Sequence, residues 1–282
     1  MSMKIGCHVS MAGGIWSAPE RASGLGAECF QMFSRSPQGG KALEISPEVT
    51  TKFKSEMKKY KIKNAYIHTP YYINFASTNN RIRHGSVSVV RDELERASLL
   101  GVKYIMTHLG SAKEMGEKEA TEKTAEMLTR ILDGYKGSAK LLIENAAGAG
   151  AIIGDTFKEI KQIIDLVKSS HLAGICIDTQ HSFASGYDWR DKETFKNTLK
   201  KIDNELGLQH IKLMHANDSK VEFNTKRDRH EHIGDGYIGK KAFGDIVSFA
   251  KEYNIDMIIE TPHDKVKKDI EILKKFRDTR RK

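Results

Sequence analysis

Short apolar runs alternate with longer amphipathic stretches along most of the 282-residue chain. The runs KIGCHV (4–9), ECFQMF (28–33), AYIH (65–68), YIMTH (104–108), LLIE (141–144), GICID (174–178), IKLMH (211–215) and MIIE (257–260) have strand length. They are almost continuously apolar, the pattern of strands buried on both faces. Stretches of helical period lie between them, over 47–60, 88–101, 118–132, 155–169, 191–206, 240–253 and 264–276, several opened by Pro, Asp or Thr. This alternation predicts a parallel α/β fold, either a closed (β/α)8 TIM barrel or an open doubly wound sheet. No tether rich in Pro, Ser or Gly and no internal repeat interrupts the series, so one catalytic domain over 1–282 is expected.

Six of the runs end on a residue able to bind a metal: His68, His108, Glu144, Asp178, His215 and Glu260. In a barrel the C-terminal strand ends converge on one face, so residues far apart in sequence would meet there. An open sheet would hold its outer strand ends apart, and the even spread of ligand types therefore favours the barrel. Long polar loops follow the second strand (34–42), the sixth (179–190) and the seventh (216–239), where active-site loops belong. They add His181, three residues beyond Asp178, and the pair Asp228 and His230, which project to one side of an extended chain. A lone histidine at a strand end is usually a hydrogen-bonding residue, and Glu144 alone would serve as a cap or a lysine partner. Six unrelated strand ends all carrying ligand types point instead to a metal cluster. Five histidines among nine candidates favour zinc over magnesium, with manganese or iron open at one position. His84, His171 and His210 fit surface or capping roles, whereas His8, His232 and His263 lie close enough to the motifs to orient ligands.

Composition narrows the setting. Cys7, Cys29 and Cys176 fall in or beside predicted strands with no CxxC spacing, which reads as reduced buried thiols. The N-terminal residues enter a strand directly and no run approaches membrane-spanning length, so a soluble cytoplasmic protein is expected. The formal charge of +9, partly concentrated in KKDIEILKKFRDTRRK (267–282), suits a polyanionic partner or simply solvated lysine-rich helices.

Several motifs together resemble the endonuclease IV family of apurinic/apyrimidinic (AP) endonucleases over essentially the whole chain. They are HVSMAGG (8–14), IHTPYYIN (67–74), THLGS (107–111), IENAAGAG (143–150), CIDTQHSFASGYD (176–188), HANDSK (215–220), DRHEHIGDGYIG (228–239) and IIETP (258–262). The resemblance implies a (β/α)8 barrel with three zinc ions. His68, His108 and Glu144 would hold one ion, Glu144, Asp178, His215 and Glu260 the second, and His181, Asp228 and His230 the third. Glu144, Asp178 and Glu260 would carry the catalytic burden, with Glu144 as the bridge. The implied activity is base-excision repair by hydrolysis 5′ to an abasic site in duplex DNA, leaving a 3′-hydroxyl and a 5′-deoxyribose phosphate. A monomer is expected, since an enzyme that clamps DNA across one barrel face needs no second copy. Tyr71 matches the tyrosine of the family's third loop. The loop after the second strand, FSRSPQGG (33–40), lacks the usual aromatic and Arg/Gln-rich tip, and Arg35 and Gln38 are its nearest DNA-contacting substitutes. Asn217, Lys220 and Arg229 are the expected phosphate or sugar contacts.

Two other readings are open to such a chain. A metal-dependent sugar isomerase or epimerase on a related barrel would use about four ligands from the later strands and leave His68, His108, His181, Asp228 and His230 without a role. A DNA-binding protein that had lost its chemistry would lack ligands, and all nine candidates are present.

Overall fold

Residues 3–40 and 42–279 are described in the structure, a computed structural model. Lys41, in the loop after the second strand, and Arg280, Arg281 and Lys282, at the end of the basic segment, lie outside the described residues, as do Met1 and Ser2. Eight parallel strands form the sheet: β1 (Ile5–His8), β2 (Cys29–Phe33), β3 (Asn64–His68), β4 (Tyr104–Thr107), β5 (Lys140–Glu144), β6 (Leu172–Asp178), β7 (Ile211–His215) and β10 (Asp256–Ile259). Each pairs with its neighbour in the series, and β1 pairs with β10 through Ile5↔Met257, Gly6↔Ile258 and Cys7↔Ile259. That last pairing closes the barrel and removes the open-sheet alternative. A short antiparallel pair, β8 (Asp218–Ser219) with β9 (His230–Glu231), folds the long loop after β7.

Side-chain alternation divides the strands into two populations. Outward-facing Ile5, Phe30, Ile67, Ile105, Ile143, Ile177, Met214 and Ile259 share one large core with the surrounding helices. Each buries its side chain almost completely, worth roughly 1.5–3 kcal/mol apiece. Inward-facing Cys29, Tyr66, Met106, Leu142, Cys176, Leu213 and Ile258 form a separate cluster that plugs the barrel. Gly6 stands at the same depth on β1, where a Cβ would fall 1.7 Å from the Cys29 carbonyl oxygen, so only glycine fits. Below the plug Asp256 accepts hydrogen bonds from the Lys4 amide (2.7 Å) and the Tyr66 hydroxyl (2.7 Å). Two residues above the plug on β3 to β7 and at the end of β10 stand the predicted strand-end metal ligands His68, His108, Glu144, Asp178, His215 and Glu260.

The helices are α1 (Ala18–Gly24), α2 (Pro47–Lys59), α3 (Asn80–Leu100), α4 (Glu117–Leu132), α5 (Phe157–Val167), α6 (Thr179–Ser185), α7 (Lys192–Glu205), α8 (Lys240–Glu252) and α9 (Val266–Asp278). Ser46, Asn79, Thr156 and Asp191 cap their helices through side-chain oxygens, and Asp191 with Thr194 completes a capping box. Three departures from the sequence expectations are physical. Helix α1 has only seven residues, too few for a periodic signal. Helix α3 begins at Asn80, eight residues before the apolar period is visible, because its first two turns are mostly polar and contain Gly85. The segment after β6 begins as α6 rather than a loop. Its buried residues include Thr179, Gln180, His181 and Ser182, whose polarity hides the helix from a hydrophobic pattern. No helix among the described residues is long and apolar enough to cross a membrane, and Cys7, Cys29 and Cys176 are buried free thiols.

Candidate metal centre

The C-terminal ends of β3 to β7 and β10 bring the predicted residues together. Three groups of potential ligand atoms each lie within 4.8 Å: His68, His108 and Glu144; Glu144, Asp178, His215 and Glu260; and Asp178, His181 and His230. Glu144 links the first two, with Oε2 3.0 Å from His68 Nε2 and 3.7 Å from His108 Nε2, and Oε1 3.0 Å from His215 Nδ1. Glu260 Oε2 approaches the same His215 nitrogen at 3.2 Å. The third group differs from the expected one, because Asp178 joins it through Oδ2, 3.6 Å from His230 Nε2. Asp228 stands at its edge, 3.3 Å from His181 Nε2 and 3.5 Å from His230 Nε2, with 57% of its side chain exposed.

Local structure sets the imidazole tautomers. His68 donates Nδ1–H to the Thr69 carbonyl (2.6 Å), and His181 donates Nδ1–H to the Asn145 carbonyl (3.0 Å). His230 Nδ1 faces the Glu260 carbonyl at 3.3 Å, and His215 donates Nε2–H to Gln31 Oε1 at 2.7 Å. In each ring the other nitrogen is left with its lone pair toward the cluster, the arrangement a metal-binding histidine needs. Nε2 of His181 and of His230 is buried with no hydrogen-bond partner, although buried ring nitrogens normally have one.

The charge balance points the same way. Burial opposes ionisation of Glu144 and Glu260, yet His215 and His68, joined by His108 at Glu144 and by His8 at Glu260, outweigh it and hold both carboxyls well below the usual carboxylate range. Burial likewise opposes charge on His181, but Asp178, Asp228 and Glu144 overcome it and push the imidazole to about 10. Asp228 falls to about 2 against its own desolvation, drawn down by His181 and His230. These carboxylates thus demand positive charge at the facing ring nitrogens, a demand that divalent cations would meet better than protons, leaving the ring lone pairs free to bind. The donor set of nitrogens and oxygens, the oriented lone pairs and the two unpartnered ring nitrogens all fit bound metal ions.

Groups that support the ligands were mostly silent in the sequence. Gln31 donates from Nε2 to Glu260 Oε1 (2.5 Å) and lies 3.0 Å from His8 Nδ1, while its oxygen takes the His215 proton, so one buried amide orients two ligands. It was detectable as the lone polar residue of CFQMF, at ligand depth in the strand alternation. Asn145 Oδ1 accepts the Asp178 amide at 2.7 Å. Asp218 accepts hydrogen bonds from the backbone amides of Ser219, Gly234, Gly236, Ile238 and Gly239, which organise the loop that carries Asp228 and His230.

The expected DNA contacts divide. Tyr71 is 66% exposed and its ring packs edge-on to Phe33, 5.8 Å from His68. Gln38, Lys220 and Arg229 are exposed. Arg35 is not available: it is buried between Glu93 and Asp92, because an unpaired guanidinium could not be held there. Asn217 is likewise redirected, since it is fully buried, donating to Asp178 Oδ2 (2.6 Å) and accepting the Glu260 amide (2.8 Å). His8 does support the cluster, 3.7 Å from Glu260, whereas His232 bonds Asp269 and Asp264 away from it and His263 is exposed. A cavity of about 1060 Å³ opens at the opposite, N-terminal end of the strands around Lys63, Tyr66, Tyr104 and Asp256, remote from these ligands.

Residues 19–276 match a family described as a xylose isomerase-like TIM barrel. A relative from Cenarchaeum symbiosum (strain A), named probable endonuclease 4, is 36% identical over 277 residues, covering 98% of this chain and 99% of that one. Another of the same name, from Thermotoga petrophila, is 36% identical over 282 residues, covering 97% and 98%. The crystal structure of endonuclease IV from Thermus thermophilus superposes with a TM-score of 0.84 at 28% identity, covering 97% of this chain and 98% of that one. A D-tagatose 3-epimerase-like protein, with a TM-score of 0.72 at 23% identity, shares the fold alone. With relatives above one-third identity along nearly its full length and ligand groups at the strand ends that carry the motifs, the chain belongs to the endonuclease IV family.

Proposed function

We propose that this protein is a zinc-dependent AP endonuclease of base-excision repair. It hydrolyses the phosphodiester 5′ to an abasic site in duplex DNA and leaves a 3′-hydroxyl and a 5′-deoxyribose phosphate. The observation that carries the reading is the convergence of the ligand groups on one barrel face, with Nε2 of His181 and His230 buried and unpartnered. His68, His108 and Glu144 would hold one zinc ion, Glu144, Asp178, His215 and Glu260 a second, and His181, Asp228 and His230 a third, with Asp178 near enough to contribute. Zinc bound there supplies Lewis-acid activation of water and offsets the charge of the scissile phosphate.

The chain's own groups do the rest. The Thr69, Asn145 and Glu260 carbonyls and Gln31 fix the imidazoles, so the ligands are set before substrate arrives. Glu144, Asp178 and Glu260 are the catalytic carboxylates of this scheme. Activated water needs no covalent nucleophile from the protein. Cys176 lies beneath the cluster, but burial pushes its thiol to about 12 and keeps it protonated. Tyr71 at the rim, with Gln38, Lys220 and Arg229, presents the surface that would meet a kinked duplex, from which a nucleotide lacking its base is readily rotated out. The protein acts as a monomer in the cytoplasm, a setting that its three free thiols favour.

The test is a labelled duplex with one abasic-site analogue, incubated without magnesium, with metal content measured on the same sample. A cut 5′ to the lesion that leaves an extendable 3′-hydroxyl supports the proposal. Intact DNA in the presence of bound metal removes it.

A further inference from the structure

The loop between β2 and α2 is fastened at both ends by side chains of α3 that metal binding does not use. Arg96 donates from Nε to Ser34 Oγ (2.6 Å), from Nη2 to the Ser34 carbonyl (2.5 Å) and from Nη1 to the Leu43 carbonyl (2.6 Å). Glu93, fully buried, accepts from Ser34 Oγ (2.6 Å) and from Arg35 Nε (2.5 Å), while Asp92 pairs with the outer nitrogen of Arg35. Glu93 and Arg96 are one helical turn apart and 3.8 Å from each other. Ser34 and Leu43 are therefore tied to the same turn of α3.

Between these ends the chain passes Gly39 and Gly40, both at positive φ, a sequence that favours mobility. A Cβ on Gly39 would meet the Tyr72 ring at 3.7 Å, so this loop leans on the loop after β3. The loop after β3 exposes Tyr71 (66%) and Tyr72 (41%), and the Tyr71 ring lies 5.8 Å from His68. Large apolar side chains so exposed around a polar cluster mark a binding surface. The buried ion pairs that anchor the loop are a costly way to add stability, since well-packed apolar residues often do as well. They do impose one geometry, because Arg96 satisfies two carbonyls and a hydroxyl through a planar fork.

We infer that the Glu93–Arg96 pair is a positioning device for substrate: it fixes residues 34–40 after β2 against Tyr72, so that this segment meets the duplex together with Tyr71 and Tyr72 as one preformed surface. The inference rests on the DNA-cleaving reading above. Ordering of the loop is completed during folding rather than on binding, which strengthens engagement without altering hydrolysis. Glu93 and Arg96 touch neither ligand nor reacting atom and are not catalytic residues.

Two variants of the zinc-loaded protein test it, Glu93→Gln and Arg96→Lys. The lysine keeps the charge opposite Glu93 and loses the fork, so it carries the test if Glu93→Gln does not fold. Steady-state incision of an abasic duplex should show KM raised about tenfold or more with kcat within about twofold of wild type. Hydrogen exchange on the DNA-free protein should accelerate in residues 34–40 and not in the barrel strands. Wild-type kinetics and exchange in both variants, or a lower kcat at unchanged KM, would overturn the inference. If the wild-type protein leaves abasic DNA intact, the functional reading fails by itself and exchange alone decides: faster exchange in 34–40 upholds the clamp, unchanged exchange rejects it.

Discussion

Gln31 accepts the Nε2–H of His215 at 2.7 Å from inside the barrel, where neither residue meets solvent. This contact leaves His215 Nδ1 as the nitrogen that faces Glu144 and Glu260, and the other end of the same amide holds Glu260. Gln31→Leu preserves volume but removes both contacts, freeing the imidazole tautomer and leaving the His215 Nε2–H buried without a partner. Loss of such a supporting group lowers metal affinity or activity on the order of 10–100-fold. Metal content after dialysis against buffered free zinc, with incision assayed in parallel, checks this. Wild-type values for both would show that the Gln31 contact is dispensable.

Glu144 is the carboxylate on which two ligand groups converge. Glu144→Gln keeps size and one carbonyl acceptor but removes the charge that bridges them. The variant should fold, with circular dichroism like that of wild type, because the barrel core beneath it is untouched, and incision should be lost. A folded variant with full activity would eliminate the shared-carboxylate scheme.

How much of this was written in the sequence depends on what each residue's neighbours reveal. Six of the nine candidate ligands were legible because each ends an apolar run, so a strand count and a period of two place them at one depth on one barrel face. His181, Asp228 and His230 showed only as ligand types in the loops that follow. Gln31 follows the same alternation but carries a residue type that signals nothing by itself. Arg35 was misjudged for a different reason: a surface loop arginine and a buried one look alike until the acids of α3, nearly sixty residues away, are packed against it. Asn217 sits in a motif full of functional residues, and only the folded chain shows its amide turned toward Asp178 and Glu260. The helix α6 was hidden because burial around the site is polar, which defeats a pattern built on apolar contacts.

The oriented lone pairs predict metal held by the protein rather than brought with the substrate. Incision should therefore proceed with no added magnesium. Prolonged dialysis against a strong chelator should abolish it and lower the melting temperature, because ions that bind only the folded state stabilise it by mass action. Zinc added back should restore both. Activity that stays absent with zinc and returns only with magnesium would contradict the donor set seen here.

Far from the site, Glu28 joins the start of the barrel to its last helix. Its carboxylate accepts the Ile5 amide at 3.1 Å and the guanidinium of Arg277, while Arg277 also reaches the Met3 carbonyl. Partial burial opposes charge on Glu28, but Arg277 and the amide outweigh it and hold the carboxyl below its ordinary value. A carboxyl depressed in the folded state contributes stability that is complete above its unfolded pKa and disappears as pH falls through its folded value. Glu28→Gln should therefore melt below wild type from neutral pH down to about 5, and the gap should close progressively below about pH 4. Thermal melts of the two proteins across that range, compared at equal zinc, read the difference directly. Loss of ligands in acid affects both proteins alike and cancels. A gap that persists unchanged at pH 3 would mean that the glutamate stabilises the closure by packing and neutral hydrogen bonding, not by its charge.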